Sequence, residues 1–139
     1  MTGHIGPLIT LVYVSTATRF FDAATLEALL EGSRRRNTEA GVTGLLVYSD
    51  GNIMQCLEGP REAVDSTFAR LARDRRHFDV TVLVRETIPA REFPDWSMAH
   101  STASAPEFLN LRGADWGAGP HNVGRELLRG FWDTRRGAA

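Results

Sequence analysis

The sequence predicts an α+β domain of ferredoxin-like type: a βαββαβ order with an extra strand, two helices on one face of a mixed sheet, and a C-terminal helical segment. Three observations predict it. Short apolar runs rich in Val, Ile, Leu and Tyr alternate with stretches of helical spacing. Ser49-Asp50-Gly51-Asn52 is a tight-turn signal between the second and third runs. A Gly/Ala/Ser/Pro-rich stretch after residue 100 then separates this core from a last amphipathic segment.

Each element follows from its residues. Leu8 to Ser15 is β-branched and aromatic, which suits a strand. Asp22 is placed to cap a helix running to about Asn37, with Leu26, Leu29, Leu30 and Ser33 facing the core. Gly41 to Gly44 turns the chain into a strand over Leu45 to Tyr48. After the hairpin comes GNIMQCLEGP, whose alternation puts Ile53, Gln55 and Leu57 on one face and Met54, Cys56 and Glu58 on the other. Pro60 suits the first position of a second helix with a Val64, Phe68 and Leu71 stripe, ending in the run Arg73 to His77. Val80 to Ile88 reads as the fourth strand, and Trp96-Ser97-Met98 as a last short one. Ser101 to Pro120 reads as a linker with a short helix near Phe108 to Leu111. Asn122 to Arg135 is a helix whose expected buried stripe is Val123, Leu127, Leu128 and Phe131, packed on the open sheet face or on a partner. The domain reading is a core over 1–100 and a linker with a helical cap over 101–139.

Composition narrows the function classes. The chain has 139 residues and a net charge of −1, so no global field argues for nucleic acid or membrane. All 16 basic residues are Arg, which excludes Schiff-base chemistry on Lys. The single Cys56 excludes an internal disulfide and a multi-cysteine metal site. The His residues at 4, 77, 100 and 121 lack ligand spacing, so no metal is expected. No signal peptide or spanning segment is read, and a cytoplasmic location is expected.

The informative residues are polar ones on faces that patterning assigns to the interior. Tyr13 shares a strand face with Ile9 and Leu11, and Gln55 lies between Ile53 and Leu57. Asn37 lies about 20° from Leu26 when the helix advances by about 100° per residue. Arg35 points away, and Arg34 and Arg35 read as a solvated helix end. A buried amide has two donors and an oxygen acceptor to satisfy. Two readings stand: a buried polar cluster, or the lining of a pocket that reads the edge of a planar heterocycle.

Several stretches resemble BLUF domains, blue-light sensors using FAD. Tyr13-Val14-Ser15 resembles the end of that family's first strand, and Ser33 to Leu46 its helix-one exit. Gly51 to Gly59 is similar to its Gly-x-Phe-x-Gln-x-Leu-Glu-Gly run. Asp74-Arg75-Arg76-His77 and Arg91 to Met98 resemble its second-helix exit and last-strand motif. The resemblance spans about residues 8 to 100. It implies FAD between the two helices, with FMN or riboflavin also compatible. It implies flavin contacts from Ser15, Ser33, Arg36, Asn37, Gln55, Asp74, Arg76 and His77. It implies a photoswitch of Tyr13, Gln55, Trp96 and Met98, with either Trp96 or Met98 beside the flavin. Ile53 stands where the family usually has Phe, and Arg36 where Asn or His is common. No enzymatic activity and no output domain are expected, so signalling would pass to a separate protein effector, with a homodimer compatible. The alternatives are a small hydrolase of acylphosphatase type and a non-photoactive interaction module. Flavin colour separates them.

Overall fold

Apolar and β-branched residues carry the chain through β1 (Leu8–Ala17) in the computed structural model, which describes residues 7–93, 98–117, 119 and 122–137. Asp22 caps α1 (Ala23–Ala40) by accepting from the Thr25 N–H at 2.8 Å. The helix stops at Gly41, whose φ of 75° is left-handed and suits a residue without a Cβ. β2 (Thr43–Ser49) and β3 (Asn52–Pro60) then form a hairpin. Asp50 and Gly51 turn it with φ of 45° and 89°, the two positive values of a type I′ turn. α2 (Arg61–Ala72) leads to β4 (His77–Ile88), and β5 (Ala99–Thr102) closes the sheet.

The strand order is β4-β1-β3-β2-β5. β1 pairs antiparallel with both β3 and β4, β2 antiparallel with β3, and β5 parallel with β2. This is the expected ferredoxin-like α+β sheet with one added edge strand. Helices cover both faces of the sheet, so the apolar run of β3 needs no polar face.

Two further helices, α3 (Ala105–Arg112) and α4 (Val123–Gly137), pack on the face opposite α1 and α2. Ile9, Leu11, Tyr13, Leu46, Ile53 and Leu57 face the first pair, with Leu26, Leu30, Val64 and Phe68 against them. Val12, Val14, Leu45, Val47, Met54 and Cys56 face the second, against Phe108, Leu111, Trp116 and Leu128.

Three expectations are corrected here. The last strand begins at Ala99, after Met98, and Trp96 and Ser97 lie outside the described residues. The stretch after residue 100 is more ordered than a linker: Ser101 and Thr102 belong to β5, and a Ser104/Glu107 capping box starts α3. Third, α4 is rotated from its expected stripe. Leu128 is buried, but Val123 is 50% and Leu127 37% exposed, while Gly124 and Arg125 face inward. The reason is local. A Cβ at position 124 would lie 2.2 Å from the Trp116 ring, so the indole seats the helix on its glycine. Arg125 turns in because a buried carboxylate, Glu58, is waiting for it. A stripe drawn from hydrophobicity alone sees neither contact.

Candidate functional site

The β1–β3 register sets Tyr13 directly opposite Gln55, on the face covered by α1 and α2. Both are buried. The Tyr13 hydroxyl donates to Gln55 Oε1. At the other end of the amide, Gln55 Nε2 donates to the Met98 sulfur at 3.5 Å. Met98 sits just before β5, which is held beside β2 by the Leu45–Ala99 pairing. Three distant pieces of chain thus meet in one line: phenol, amide, thioether. A thioether is a weak acceptor. Among the described residues, the amide nitrogen of Gln55 meets no better one.

Above this line lies a cleft that opens to solvent. Its walls are Phe21, Leu26, Leu29, Leu30, Leu46, Ile53 and Leu71; its polar groups are Tyr13, Ser33, Gln55, Asp74, Arg76 and His77. Apolar walls with a few polar groups at the base and one end suit a planar heterocycle with one polar edge. Asp74 and Arg76 pair two residues apart. That hydrogen bond and charge hold the Asp74 carboxyl at about 2, and burial opposes the shift. Burial pushes the Tyr13 phenol well up, and the Asp74 charge adds to it, so this hydroxyl keeps its proton at neutral pH. His77 Nε2 donates to the Leu71 carbonyl at 2.6 Å. In the neutral ring Nδ1 then accepts from the Ser15 hydroxyl at 2.8 Å. The His77 ring also lies 6.0 Å from that of Tyr13.

The sequence model of one family, sensors of blue light using FAD, matches residues 8–99 of the chain, which include every strand and helix that frames this cleft. The chain belongs to the BLUF family. A solved BLUF protein, BlrB in its dark state, is 37% identical, with a TM-score of 0.65 over 78% of this chain and 80% of that one. BlsA in its photo-activated state is 26% identical, with a TM-score of 0.70 over 91% and 93%. Among curated proteins, the photoactivated adenylate cyclase subunit beta of Euglena gracilis is 36% identical over 96 residues, 68% of this chain but 11% of that protein. The blue light- and temperature-regulated antirepressor BluF of Escherichia coli is 33% identical over 86 residues, 62% of this chain and 21% of that one. The chain therefore spans only a small part of these curated relatives.

The residues expected to serve a BLUF site do not all line the cleft. Tyr13, Ser33, Gln55, Asp74, Arg76 and His77 line the cleft. Asn37 is 2% exposed, one turn beyond Ser33 on α1. Ser15 is buried and reaches the cleft through its bond to His77. Arg36 is exposed. Of the two residues expected on the last strand, Met98 faces Gln55, whereas Trp96 lies outside the described residues.

Sequence reasoning missed three groups. Arg34, expected to be a solvated helix end, donates from Nε to the Met98 carbonyl at 2.9 Å. Arg70 on α2 has a buried Nε with no hydrogen-bond partner among the described residues, and burial lowers its pKa, with the Arg36 charge adding to the shift. Glu58, on the opposite face of the Gln55 strand, is fully buried. Its Oε1 accepts from the Glu92 and Phe93 N–H groups at 2.8 and 2.9 Å, and its Oε2 from Arg125 at 3.1 Å. Arg91 ties the same loop to the helix-one exit, donating to the Gly41 carbonyl at 2.8 Å and the Thr43 hydroxyl at 2.9 Å. The signal available for Glu58 was its place on an apolar face beside Met54 and Cys56.

Proposed function

We propose that this chain is a photosensor whose switch is the Gln55 amide, held between Tyr13 and Met98 at the base of a flavin cleft. The flavin-using, blue-light character comes from the family. The observation that carries the switch reading is the single line of hydrogen bonds from Tyr13 through Gln55 to Met98.

The residues present fit the ring of a flavin. Aliphatic side chains of the cleft would cover its faces, and it would offer the buried amide nitrogen of Gln55 a stronger acceptor than sulfur. When bound, the flavin supplies absorption of blue light and, once excited, oxidising power. Asn37 would hold its polar edge, Ser33, Asp74, Arg76 and His77 would hold its exit side, and Arg36 would reach it only at the rim. FAD is the family's cofactor; FMN and riboflavin present the same ring.

The switch follows from donor and acceptor counting. A phenol hydroxyl both donates and accepts, so Tyr13 is satisfied by either end of the amide. A thioether only accepts, so Met98 is satisfied by the nitrogen end alone. Rotating the Gln55 amide therefore costs little on the Tyr13 side and breaks the contact on the Met98 side. That gives two states of unequal energy, linked to the segment leading into β5. Tyr13 is also an oxidisable side chain that carries a transferable proton, and that proton lies along its bond to the amide.

The output of the switch is the regulation of an effector activity. Two relatives carry their regulated activity in their names, as a cyclase and an antirepressor. Among the described residues no helix is long and apolar enough to cross a membrane, and a cytoplasmic setting suits the single buried cysteine. The deciding measurement is an absorption spectrum of the purified protein in the dark and under blue light. A yellow protein with a reversible red shift supports the reading; a colourless one, or a flavin spectrum unmoved by light, refutes it.

A further inference from the structure

Met98 is held from two directions. Its sulfur faces Gln55 Nε2, and its backbone carbonyl accepts from Arg34 Nε at 2.9 Å. The same guanidinium is anchored on its own helix. Nη1 donates to Glu27 Oε2 and to Glu31 Oε1, each at 2.7 Å. Nη2 lies 3.4 Å from His100 Nδ1, on the strand that Met98 leads into. The Arg34 side chain is only 25% exposed. Arg35, next in sequence, is exposed and belongs to none of these contacts.

We propose that Arg34 is a positioning residue of the photoswitch: braced by Glu27 and Glu31, it fixes the Met98 backbone so that the sulfur favours one orientation of the Gln55 amide. The argument rests on the switch reading above. The sulfur discriminates between the two amide ends only while it stays within reach of Nε2, and the bond from Arg34 fixes the Met98 backbone from the α1 side. A guanidinium fork supplies what a single ammonium does not: one N–H for the carbonyl, others for the two carboxylates, in fixed relative geometry. A contact that favours one amide orientation shifts the balance between the two states by its difference in strength between them. Loss of the brace weakens the arrangement seen here relative to the rotated one, and slows return to it.

The test uses the flavin-loaded protein with methionine carrying ¹³C at the carbonyl. Dark recovery of the red-shifted state is timed, and light-minus-dark infrared spectra follow the labelled carbonyls, with the Met98 band assigned through Met98→Leu. Arg34→Gln is expected to bind flavin, to recover about tenfold more slowly, the rate effect of roughly 1.4 kcal/mol on a barrier, and to move the Met98 carbonyl band to higher frequency. Arg34→Lys should restore part of both effects, and Arg35→Gln should match the wild type. If Arg34→Gln fails to fold, the Glu27→Gln/Glu31→Gln pair carries the test, because it loosens the brace and keeps the arginine. Recovery unchanged to within a factor of about two, or an unmoved Met98 band, overturns the proposal. A wild type without any light-driven shift overturns the switch reading instead.

Discussion

Gln55 has Tyr13 opposite it on one neighbouring strand and Leu46 on the other, so its side chain has little freedom beyond turning its amide over. Gln55→Leu keeps the volume and removes both ends of that device. The expected outcome is a folded yellow protein with no reversible red shift, read by the same dark and light spectra. Tyr13→Phe removes only the hydroxyl that donates to Oε1. It should keep flavin and also lose the shift; a wild-type response would assign the donor elsewhere. Asn37 is buried on α1, one turn beyond the cleft residue Ser33. Asn37→Ala should cost flavin binding about 1–3 kcal/mol, roughly five- to a hundredfold in affinity, measured by titrating flavin into apoprotein. At this scale the sequence was informative where polarity contradicted pattern. Tyr13, Asn37 and Gln55 stood out because each sits on an apolar face. Arg34 did not, because a cation near a helix end is ordinarily solvated, and its acceptor is a backbone carbonyl 64 residues away.

At the scale of elements, α4 is joined to the sheet by a buried ion pair, Arg125 with Glu58, and by the close seat of Gly124 on Trp116. Burial holds the Glu58 carboxyl above its ordinary range, while the Phe93 N–H and the Arg125 charge oppose that shift. Arg125→Met removes the opposing charge and leaves a carboxylate in the core, a loss of about 3–5 kcal/mol at neutral pH. The pH dependence has a definite sign. A carboxyl whose folded pKa is raised prefers its protonated form in the folded state. The variant's penalty should therefore be small below the unfolded value of about 4.3 and grow as pH rises through it toward the folded value. Urea unfolding across that range checks both parts; a penalty independent of pH would show that Glu58 is not the group left exposed to burial. The sequence placed α4 correctly along the chain but rotated it wrongly, since its inward face holds a glycine and an arginine beside Leu128. Periodicity reads apolar side chains, and this seam is built from a charge pair and a small residue.

For the whole molecule, three layers place the two faces of β3 in different roles. One face carries Gln55 under the cleft; the other carries Glu58 under α4. The loop at Glu92 and Phe93 is held by Glu58, and Met98, a few residues later in the chain, lies beside Gln55. We propose that light reaches the C-terminal cap over 101–139 through this segment and changes how residues 122–135 dock. Val123 and Leu127, left 50% and 37% exposed, then form part of the surface offered to an effector. Hydrogen exchange in the dark and under illumination checks the route. Light-dependent protection across 98–135 is expected; equal protection in both states, in a protein whose flavin spectrum responds, would send the signal out by another surface.

The order of elements, the hairpin, the cap at Asp22 and the stop at Gly41 were all determined by the sequence, because each depends on residues within a few positions of one another. Motif spacing likewise placed the chain among blue-light sensors using FAD, since Tyr13, Asn37 and Gln55 stand at fixed places in those local runs. Tertiary structure alone decided which long-range partners meet. It brought Met98 to Gln55, Arg34 to the Met98 carbonyl, and Arg125 to Glu58 across 67 residues. Such contacts join side chains whose separate neighbourhoods look ordinary. Their energies depend on burial and on the geometry of two elements at once, and neither is written in the pattern of one segment.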